Sequence, residues 1–203
     1  MLEKSLKKKK FLRKSNMEIR LAADLQSDSI VDGRGIRTVI WTQGCPHHCK
    51  GCHNPKTHSF DAGVIVDIEE VKEALSEIEG QDGITFSGGE PMCQPEACLE
   101  LAKFAKKRGL DIWCYTGYTY EKLLELSYLK PAIMEFLKEI DVLIDGKFIL
   151  KEKSLDLKFR GSRNQRIIDV QKSLKEKNVC LLEEYLDDID HLSKYEKKDG
   201  IFI

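Results

Sequence analysis

The chain has 203 residues, 41% of them hydrophobic and 33% charged, which is the balance of a folded globular protein and not of a disordered one. Its 33 Lys and Arg residues nearly match its 34 Asp and Glu residues, so we expect neither nucleic acid nor an anionic membrane as a partner. No stretch approaches the roughly 20 apolar residues of a membrane-spanning helix, and no secretory apolar run follows the basic N-terminus, so we expect a cytoplasmic protein.

The N-terminal segment is basic and contains a run of lysines at residues 7–10. We expect residues 1–16 to form a solvated, disordered extension. Met17 directly precedes the first strand-like segment, and residues 16–25 are predicted to contain an antiparallel strand ahead of the main sheet.

Four short segments rich in β-branched and apolar residues follow, and each is predicted to be a strand that ends in glycine or polar residues. They cover residues 36–42, 83–86, 111–115 and 141–144. Apolar residues at helical spacing predict helices between and after them, which cover residues 67–78, 95–107, 121–127 and 131–139. Because ligands sit at the carboxyl ends of parallel strands, we expect one α/β domain whose strand-end loops converge on one site.

Seven cysteines are an odd number in a chain without export features, which argues against a disulfide scaffold and for metal or redox chemistry. Three of them lie close together, at Cys45, Cys49 and Cys52. The others are scattered and are interpreted as small buried apolar residues; they are Cys93, Cys98, Cys114 and Cys180.

The spacing of the clustered cysteines allows three sulfurs on one loop to face a common centre. An iron–sulfur cubane normally takes four cysteines, one for each iron, so three would leave one iron open to a substrate. The alternative is a structural zinc, which needs four closed ligands and would take its fourth from His47, His48 or His53. The spacing favours the cluster, because zinc ligands more often come as two separated pairs, but zinc stays an alternative.

The cysteine spacing, together with Gly-Gly-Glu-Pro at residues 88–91 after the next strand, resembles the radical S-adenosylmethionine superfamily. The resemblance implies that the three clustered cysteines hold a [4Fe–4S] cluster whose fourth iron is chelated by the amino and carboxylate groups of S-adenosylmethionine. It also implies a partial (open) parallel β/α barrel, with the radical S-adenosylmethionine domain at residues 17–170 and a charged, peripheral tail at residues 171–203.

Two further motifs, Asp-Gly-Arg-Gly-Ile-Arg-Thr at residues 32–38 and Cys-His-Asn-Pro from Cys52, resemble activating enzymes of glycyl-radical proteins. Gly51, where the wider superfamily has an aromatic residue, and residues 159–170 are similar to the activating proteins of the anaerobic ribonucleoside-triphosphate reductase. This resemblance implies reductive cleavage of S-adenosylmethionine to a 5′-deoxyadenosyl radical, which removes a hydrogen atom from a glycine of the reductase's glycyl-radical subunit. It implies a low-potential electron donor and no acid or base side chain.

The resemblance also implies which residues bind the cofactor: Gly51, Cys52, His53, Gly88, Gly89, Glu90, Tyr115, Thr116, Gly117, Asp145 and Lys147. Glu90 is expected to accept a hydrogen bond from the ligand ammonium, His53 to pack near the adenine, and Asp145 with Lys147 to pair with the zwitterionic cofactor. Taken as residues alone, paired glycines and Asp-Gly are also common turn dipeptides, so these positions have a purely structural alternative.

Other functions fit parts of the sequence. An activase of another glycyl-radical enzyme, of pyruvate formate-lyase type, would share the cysteine motif, although Gly51 and residues 160–170 argue against it. A non-catalytic zinc-binding module would form no iron–sulfur chromophore. An electron carrier would be redox-active without cleaving S-adenosylmethionine.

Overall fold

The computed structural model describes residues 17–186, so the predicted extension at residues 1–16 and the end of the predicted tail lie outside the described residues. The described part is an α/β fold built on one mixed sheet. Its eight strands are β1 (Glu18–Leu21), β2 (Gln26–Ser29), β3 (Arg37–Thr42), β4 (Val64–Asp67), β5 (Gly83–Gly88), β6 (Asp111–Tyr115), β7 (Val142–Asp145) and β8 (Arg166–Asp169).

The centre of the sheet consists of four parallel strands in the order β3-β5-β6-β7. Ile40 pairs with Phe86, Phe86 with Cys114, and Cys114 with Leu143, so the strands run in register across the sheet. These are the four strands predicted from the sequence, and the prediction is confirmed. Their carboxyl ends meet at one edge of the sheet, which is where α/β folds place their ligands.

Antiparallel strands flank this centre. β1 pairs with β3 and β4, which confirms the antiparallel strand predicted within residues 16–25, while β2 pairs with β3 and β8 with β7. Across the described residues the sheet runs from β4 to β8 without closing, so the predicted open barrel is confirmed. The sequence analysis does not predict β2, β4 and β8. β2 reads Gln-Ser-Asp-Ser without an apolar residue, and β4 and β8 each run without a break into the helix that follows.

Five helices pack against the sheet: α1 (Ile68–Glu77), α2 (Pro95–Lys107), α3 (Tyr120–Ser127), α4 (Pro131–Glu139) and α5 (Val170–Glu176). The first four confirm the predicted helices. Their starts follow known capping chemistry, because Asp67 accepts a hydrogen bond from the Glu69 N–H at 2.9 Å and prolines begin α2 and α4. Among residues 17–186, no helix is long and apolar enough to cross a membrane.

The main core lies between the helices and one face of the sheet. At its centre Phe86 of β5 and Phe136 of α4 are fully buried and meet edge to face, with ring centroids 5.1 Å apart.

The opposite face of the sheet carries a second, aromatic cluster. Trp113 of β6 is 1% exposed, and the rings of Phe159 and Tyr185 lie 5.3 and 6.4 Å from it. We call these three residues the aromatic floor, because they close the inner side of the open barrel below the carboxyl ends of the strands. Tyr185 therefore brings the last described residues onto the inner face of the sheet.

A buried arginine on the same face holds the loop that precedes β3. Arg37 is 0% exposed, pairs with Asp111 at 2.5 Å and donates to the Thr85 hydroxyl at 2.7 Å. Thr85 in turn donates to the Asp32 carbonyl at 2.8 Å. Removing either partner would leave a buried charge or polar group unsatisfied, so Arg37 in the Asp-Gly-Arg-Gly-Ile-Arg-Thr motif anchors the loop beside the strand ends.

Two leucine truncations test this core. Leu137 of α4 is fully buried, so Leu137→Ala is expected to lower the free energy of unfolding by about 2–5 kcal/mol. Leu129 is 86% exposed in the neighbouring turn, so Leu129→Ala is the matched control and is expected to change that free energy by less than about 0.5 kcal/mol. Urea unfolding of both variants measures the difference, and equal losses would contradict the described packing.

Candidate active site

A cavity of about 610 Å³ opens at the carboxyl ends of the four parallel strands. Every strand-end loop of the parallel sheet contributes to its wall. The predicted site residues that line it are Cys45, Cys49, Cys52, His53, Gly88, Gly89, Tyr115, Thr116 and Gly117. The structure therefore brings most of the predicted site residues together around one space.

The cysteine loop follows β3 and is held at its base by backbone hydrogen bonds. Gly44 and Cys45 donate their N–H groups to the carbonyls of Thr57 and His58 at 2.9 and 3.1 Å. Gly44 has a φ of +96°, a conformation that glycine adopts without strain. Cys45 is consequently buried at 8% exposure, whereas Cys49 and Cys52 are partly exposed on the same cavity.

The chemistry of these three thiols fits an iron–sulfur cluster. All three are free, and burial raises the pKa of Cys45, with the negative charges of Glu90, Cys49 and Cys52 adding to the effect. Thiolates that repel one another in this way are stabilised by a cationic centre between them. Within residues 17–186, no three His, Cys, Asp or Glu side chains are arranged to hold a single metal ion. A cubane instead takes one thiolate per iron, over a larger volume.

The glycine loop at the end of β5 lies directly against the cysteine loop. Gly89 donates its N–H to the Thr42 carbonyl at 2.7 Å, and Glu90 donates to the Gly44 carbonyl at 2.8 Å. A Cβ atom at Gly88 would lie 2.6 Å from the Thr42 oxygen, and one at Gly89 would lie 2.5 Å from the Gly44 oxygen. Only glycine permits this approach, and both glycines line the cavity.

Glu90, unlike Gly88 and Gly89, faces the interior of the protein. Its side chain is 0% exposed and is not among the residues that line the cavity. Its carboxylate accepts hydrogen bonds from the Thr116 hydroxyl at 2.9 Å and the Gly117 N–H at 2.8 Å, and it meets the His47 ring. These donors belong to the protein itself, and the expected contact of Glu90 with the ligand ammonium stays a prediction.

The loop after β6 lies beside the glycine loop, because Thr116 and Gly117 both donate hydrogen bonds to Glu90. Tyr115, Thr116 and Gly117 all face the cavity. Burial raises the pKa of Tyr115 well above its usual value, with the charge of Asp32 adding to the effect, so its hydroxyl stays protonated. The predicted contact of these residues with the cofactor stays a prediction that their position supports.

The residues around the last cysteine form an aromatic corner. The His53 ring lies 5.1 Å from the Phe148 ring, and both side chains line the cavity. Gly51 has a φ of +78°, and a Cβ there would lie 2.9 Å from Leu150. Leu150 thus occupies the space into which a side chain at position 51 would project. Gly51 itself is not among the residues that line the cavity.

Asp145 and Lys147 do not line the cavity either. Asp145 is buried, and its carboxylate accepts hydrogen bonds from elsewhere in the protein. The donors include Nε of Arg166 at 3.0 Å and the Tyr120 N–H at 2.8 Å. The Arg166 guanidinium also binds Glu121, with N···O distances of 3.0 and 2.8 Å. The Asp145 carboxylate is therefore paired within the protein, and the contact of Asp145 and Lys147 with the cofactor stays a prediction.

Other cavity residues are not singled out by the sequence analysis. They come from loops far apart in the chain and include Trp41, Asn54, Thr57, Phe148, Phe159 and Gln165. The signal that points to Asn54 is its place in Cys-His-Asn-Pro, and the signal for Phe159 and Gln165 is the resemblance over residues 159–170. Trp41, Thr57 and Phe148 carry no local signal, because only the folded sheet brings them to the cavity.

Comparison with known proteins identifies the class. The family model described as "4Fe-4S single cluster domain" matches residues 31–168, a span that contains all three clustered cysteines and both glycines of the glycine loop. The chain belongs to this family of single-cluster iron–sulfur proteins.

Sequence relatives identify the particular family within this class. Proteins named anaerobic ribonucleoside-triphosphate reductase-activating protein match the chain at 38% identity in Haemophilus influenzae, over 68% of this chain and 90% of the relative. Those of Enterobacteria phage T4 and Escherichia coli K12 match at 37% and 32% identity, over 68% and 67% of this chain and 86% and 90% of the relatives. The chain belongs to the family of anaerobic ribonucleoside-triphosphate reductase-activating proteins. This confirms the resemblance predicted from the motifs, with the enzyme class and the [4Fe–4S] cluster that it implied.

Among solved structures, QueE from Escherichia coli is similar to this chain, with a TM-score of 0.44 and 17% sequence identity. The match covers 52% of this chain and 55% of QueE.

Two glycine-to-alanine substitutions test the junction between the glycine loop and the end of β3. Gly88→Ala adds a methyl group against the Thr42 backbone at a φ of +96°, whereas Gly109→Ala meets open space at a φ of +78°. Both share the cost of a left-handed residue, about 1–2 kcal/mol. We expect Gly88→Ala to lower the free energy of unfolding by at least about 2 kcal/mol more than Gly109→Ala, as measured by urea unfolding. Equal effects would show that the junction tolerates a side chain.

The ion pair between Arg166 and Glu121 predicts that the stability of the protein depends on pH. The hydrogen bonds from Arg166 lower the pKa of Glu121 from 4.5 to about 2. A carboxyl whose folded pKa is depressed stabilises the protein fully above its unfolded pKa, and this contribution is lost as the pH falls from about 4.5 to about 2. The difference in melting temperature between the wild type and Glu121→Gln is therefore expected to shrink over that range in calorimetry. A constant difference would contradict the assigned ion pair.

Proposed function

We propose that this chain is the activating enzyme that generates a glycyl radical on an anaerobic ribonucleoside-triphosphate reductase, with a [4Fe–4S] cluster and S-adenosylmethionine as its cofactors. The observation that carries the proposal is the convergence of three free thiols, the paired glycines and the loop after β6 on one cavity. The relatives, all named for this reductase, favour it as the partner over a pyruvate formate-lyase.

The cysteine loop would hold the cluster, with Cys45, Cys49 and Cys52 each ligating one iron. The position of Cys45 at the buried end of an open cavity supports this role, because a cluster held by these three thiols would have free space beside it for a ligand. When bound, the cluster and S-adenosylmethionine supply the one-electron chemistry that removes a hydrogen atom from glycine.

The chain's own residues would bind and orient the cofactor. Gly88 and Gly89 line the cavity without side chains, so an amino acid head group can approach the backbone closely there. Tyr115, kept neutral by burial, offers a hydroxyl donor without a charge. His53 and Phe148 supply aromatic rings to the cavity wall, which suits a nucleobase. A cavity of about 610 Å³ lies within the roughly 300–1,000 Å³ of small-molecule sites.

The aromatic floor would exclude water from below the cofactor. Phe159 lines the cavity and packs on Trp113, so aromatic rings cover the inner side of the barrel at this level. Excluding water protects a reactive radical from side reactions. No acid or base side chain is needed for this step.

The rim of the cavity would admit the partner. Ile30 and Val31 line the cavity and are 70% and 69% exposed, which makes an apolar edge of the kind that partner proteins cover. A glycine-bearing segment of the reductase is the proposed occupant. The electron donor, the absence of a nucleic-acid partner and the cytoplasmic location stay predictions.

Electron paramagnetic resonance tests the proposal. The protein is reconstituted with iron and sulfide without oxygen, reduced, and mixed with S-adenosylmethionine and the reductase. We expect a glycyl-radical signal on the reductase and release of 5′-deoxyadenosine. Separate replacement of Cys45, Cys49 and Cys52 by alanine is expected to abolish both, because each removes an iron ligand.

Cys180→Ala is the matched control. Cys180 is a free cysteine that does not line the cavity, so this variant is expected to give the wild-type signal. A wild-type protein that binds zinc but forms no cluster would refute the proposal. A full glycyl signal from any of the three cysteine variants would refute the assigned ligands.

A further inference from the structure

The buried carboxylate of Glu90 joins three segments that meet at the cavity. Its four hydrogen-bond contacts are the His47 ring in the cysteine loop at 2.8 Å, the Thr116 hydroxyl at 2.9 Å, the Gly117 N–H at 2.8 Å and the Met92 N–H at 3.0 Å. At 0% exposure no water competes for these sites. A fully buried carboxylate is costly unless it is saturated with donors, and here it is.

His47 lines the cavity, and its ring is closely packed on the protein side. Its side chain is 6% exposed, and the Tyr118 ring meets it edge to face with centroids 4.5 Å apart. A Cβ atom at Gly117 would lie 2.2 Å from His47 Cδ2, so the ring fits only because position 117 has no side chain. Since an ionised carboxylate only accepts hydrogen bonds, we assign the hydrogen to Nε2 of His47.

His47 lies two residues after Cys45 and two before Cys49, on the loop that carries the proposed iron ligands. Holding the His47 ring in place therefore bears on the position of both cysteines.

Resting on the function proposed above, we propose that Glu90 and His47 are positioning residues that fix the cysteine loop relative to the Thr116–Gly117 wall. Neither needs to touch the cofactor. The Glu90 carboxylate connects the loop that carries the iron ligands to the wall that faces S-adenosylmethionine. The cluster and the cofactor then keep one relative position, because both loops are tied to the same buried group.

Glutamine cannot replace Glu90 in this role. The carboxylate has two acceptor oxygens, one facing Thr116 and Met92 and the other facing His47 and Gly117. A glutamine has one acceptor oxygen and one NH₂ group, so its NH₂ would face either the Gly117 N–H or the Met92 N–H. That backbone N–H would then lose its acceptor and face a second donor.

The test uses the full chain, reconstituted with iron and sulfide without oxygen. The variants are Glu90→Gln, His47→Ala, His47→Gln and His48→Ala. The His47→Gln amide keeps an N–H that can reach Glu90, so it is the conservative rescue. His48 is the matched control, because it is the adjacent histidine, is exposed and does not line the cavity. Far-UV circular dichroism establishes that each variant is folded.

The readouts are independent of the reductase. The first two are the rate of iron release to a chelator and the reduction potential of the cluster. The third is the change that S-adenosylmethionine causes in the electron paramagnetic resonance spectrum of the reduced cluster. We expect Glu90→Gln and His47→Ala to release iron about 10-fold faster or more and to respond more weakly to S-adenosylmethionine. Glu90→Gln also removes a buried negative charge beside the cysteine loop, so its reduction potential is expected to rise. His48→Ala should match the wild type, and His47→Gln should recover most of the response.

The outcomes separate the two proposals. A wild-type protein that forms no cubane would refute the proposed function and this inference with it. A wild-type protein that forms the cubane, while Glu90→Gln and His47→Ala release iron and respond to S-adenosylmethionine like it, would refute only the positioning role. If Glu90→Gln does not fold, the three histidine variants decide the question, because equal behaviour of His47→Ala and His48→Ala would refute the proposal.

Discussion

The site depends on one backbone junction, where the glycine loop after β5 lies against the end of β3. Gly89 and Glu90 donate to the carbonyls of Thr42 and Gly44, and neither Gly88 nor Gly89 has room for a side chain. Close-packed backbone contacts of this kind transmit strain and leave little independent motion. The loop that carries the proposed iron ligands and the loop that faces the proposed cofactor therefore move as one body, and the rest of the cavity is arranged around them.

The parallel centre of the fold is predictable because its signals are local. Each of the four strands is a short β-branched or apolar run that stops at glycine or a polar residue, and each intervening helix has an apolar stripe and a cap or a proline at its start. Among the flanking strands, β2, β4 and β8 are not predictable in this way. β2 has no apolar residue, and its place in the sheet comes from pairing with β3, a tertiary contact that a window of sequence does not contain.

The residues of the site also separate into those that local motifs predict and those that depend on distant contacts. The cysteine spacing and the paired glycines are contiguous motifs, so the residues that line the cavity at those loops could be predicted. Glu90 and Asp145 could be placed near the site but not assigned partners, because those partners, His47 with Thr116 and Arg166 with Tyr120, lie in other segments of the chain. Whether a carboxylate faces a ligand or the protein is decided by packing between segments, which spacing along the chain does not reveal.

The aromatic floor bears on how the protein is made. Tyr185 lies far downstream of the cysteine loop and of Trp113, yet its ring completes the apolar base under the cavity. On the ribosome, the chain reaches the three clustered thiols and all four parallel strands before it reaches this tyrosine. A chain that has been synthesised only as far as β8 therefore still lacks one of the three rings that close the inner side of the sheet. The aromatic floor is complete only once translation has passed residue 185.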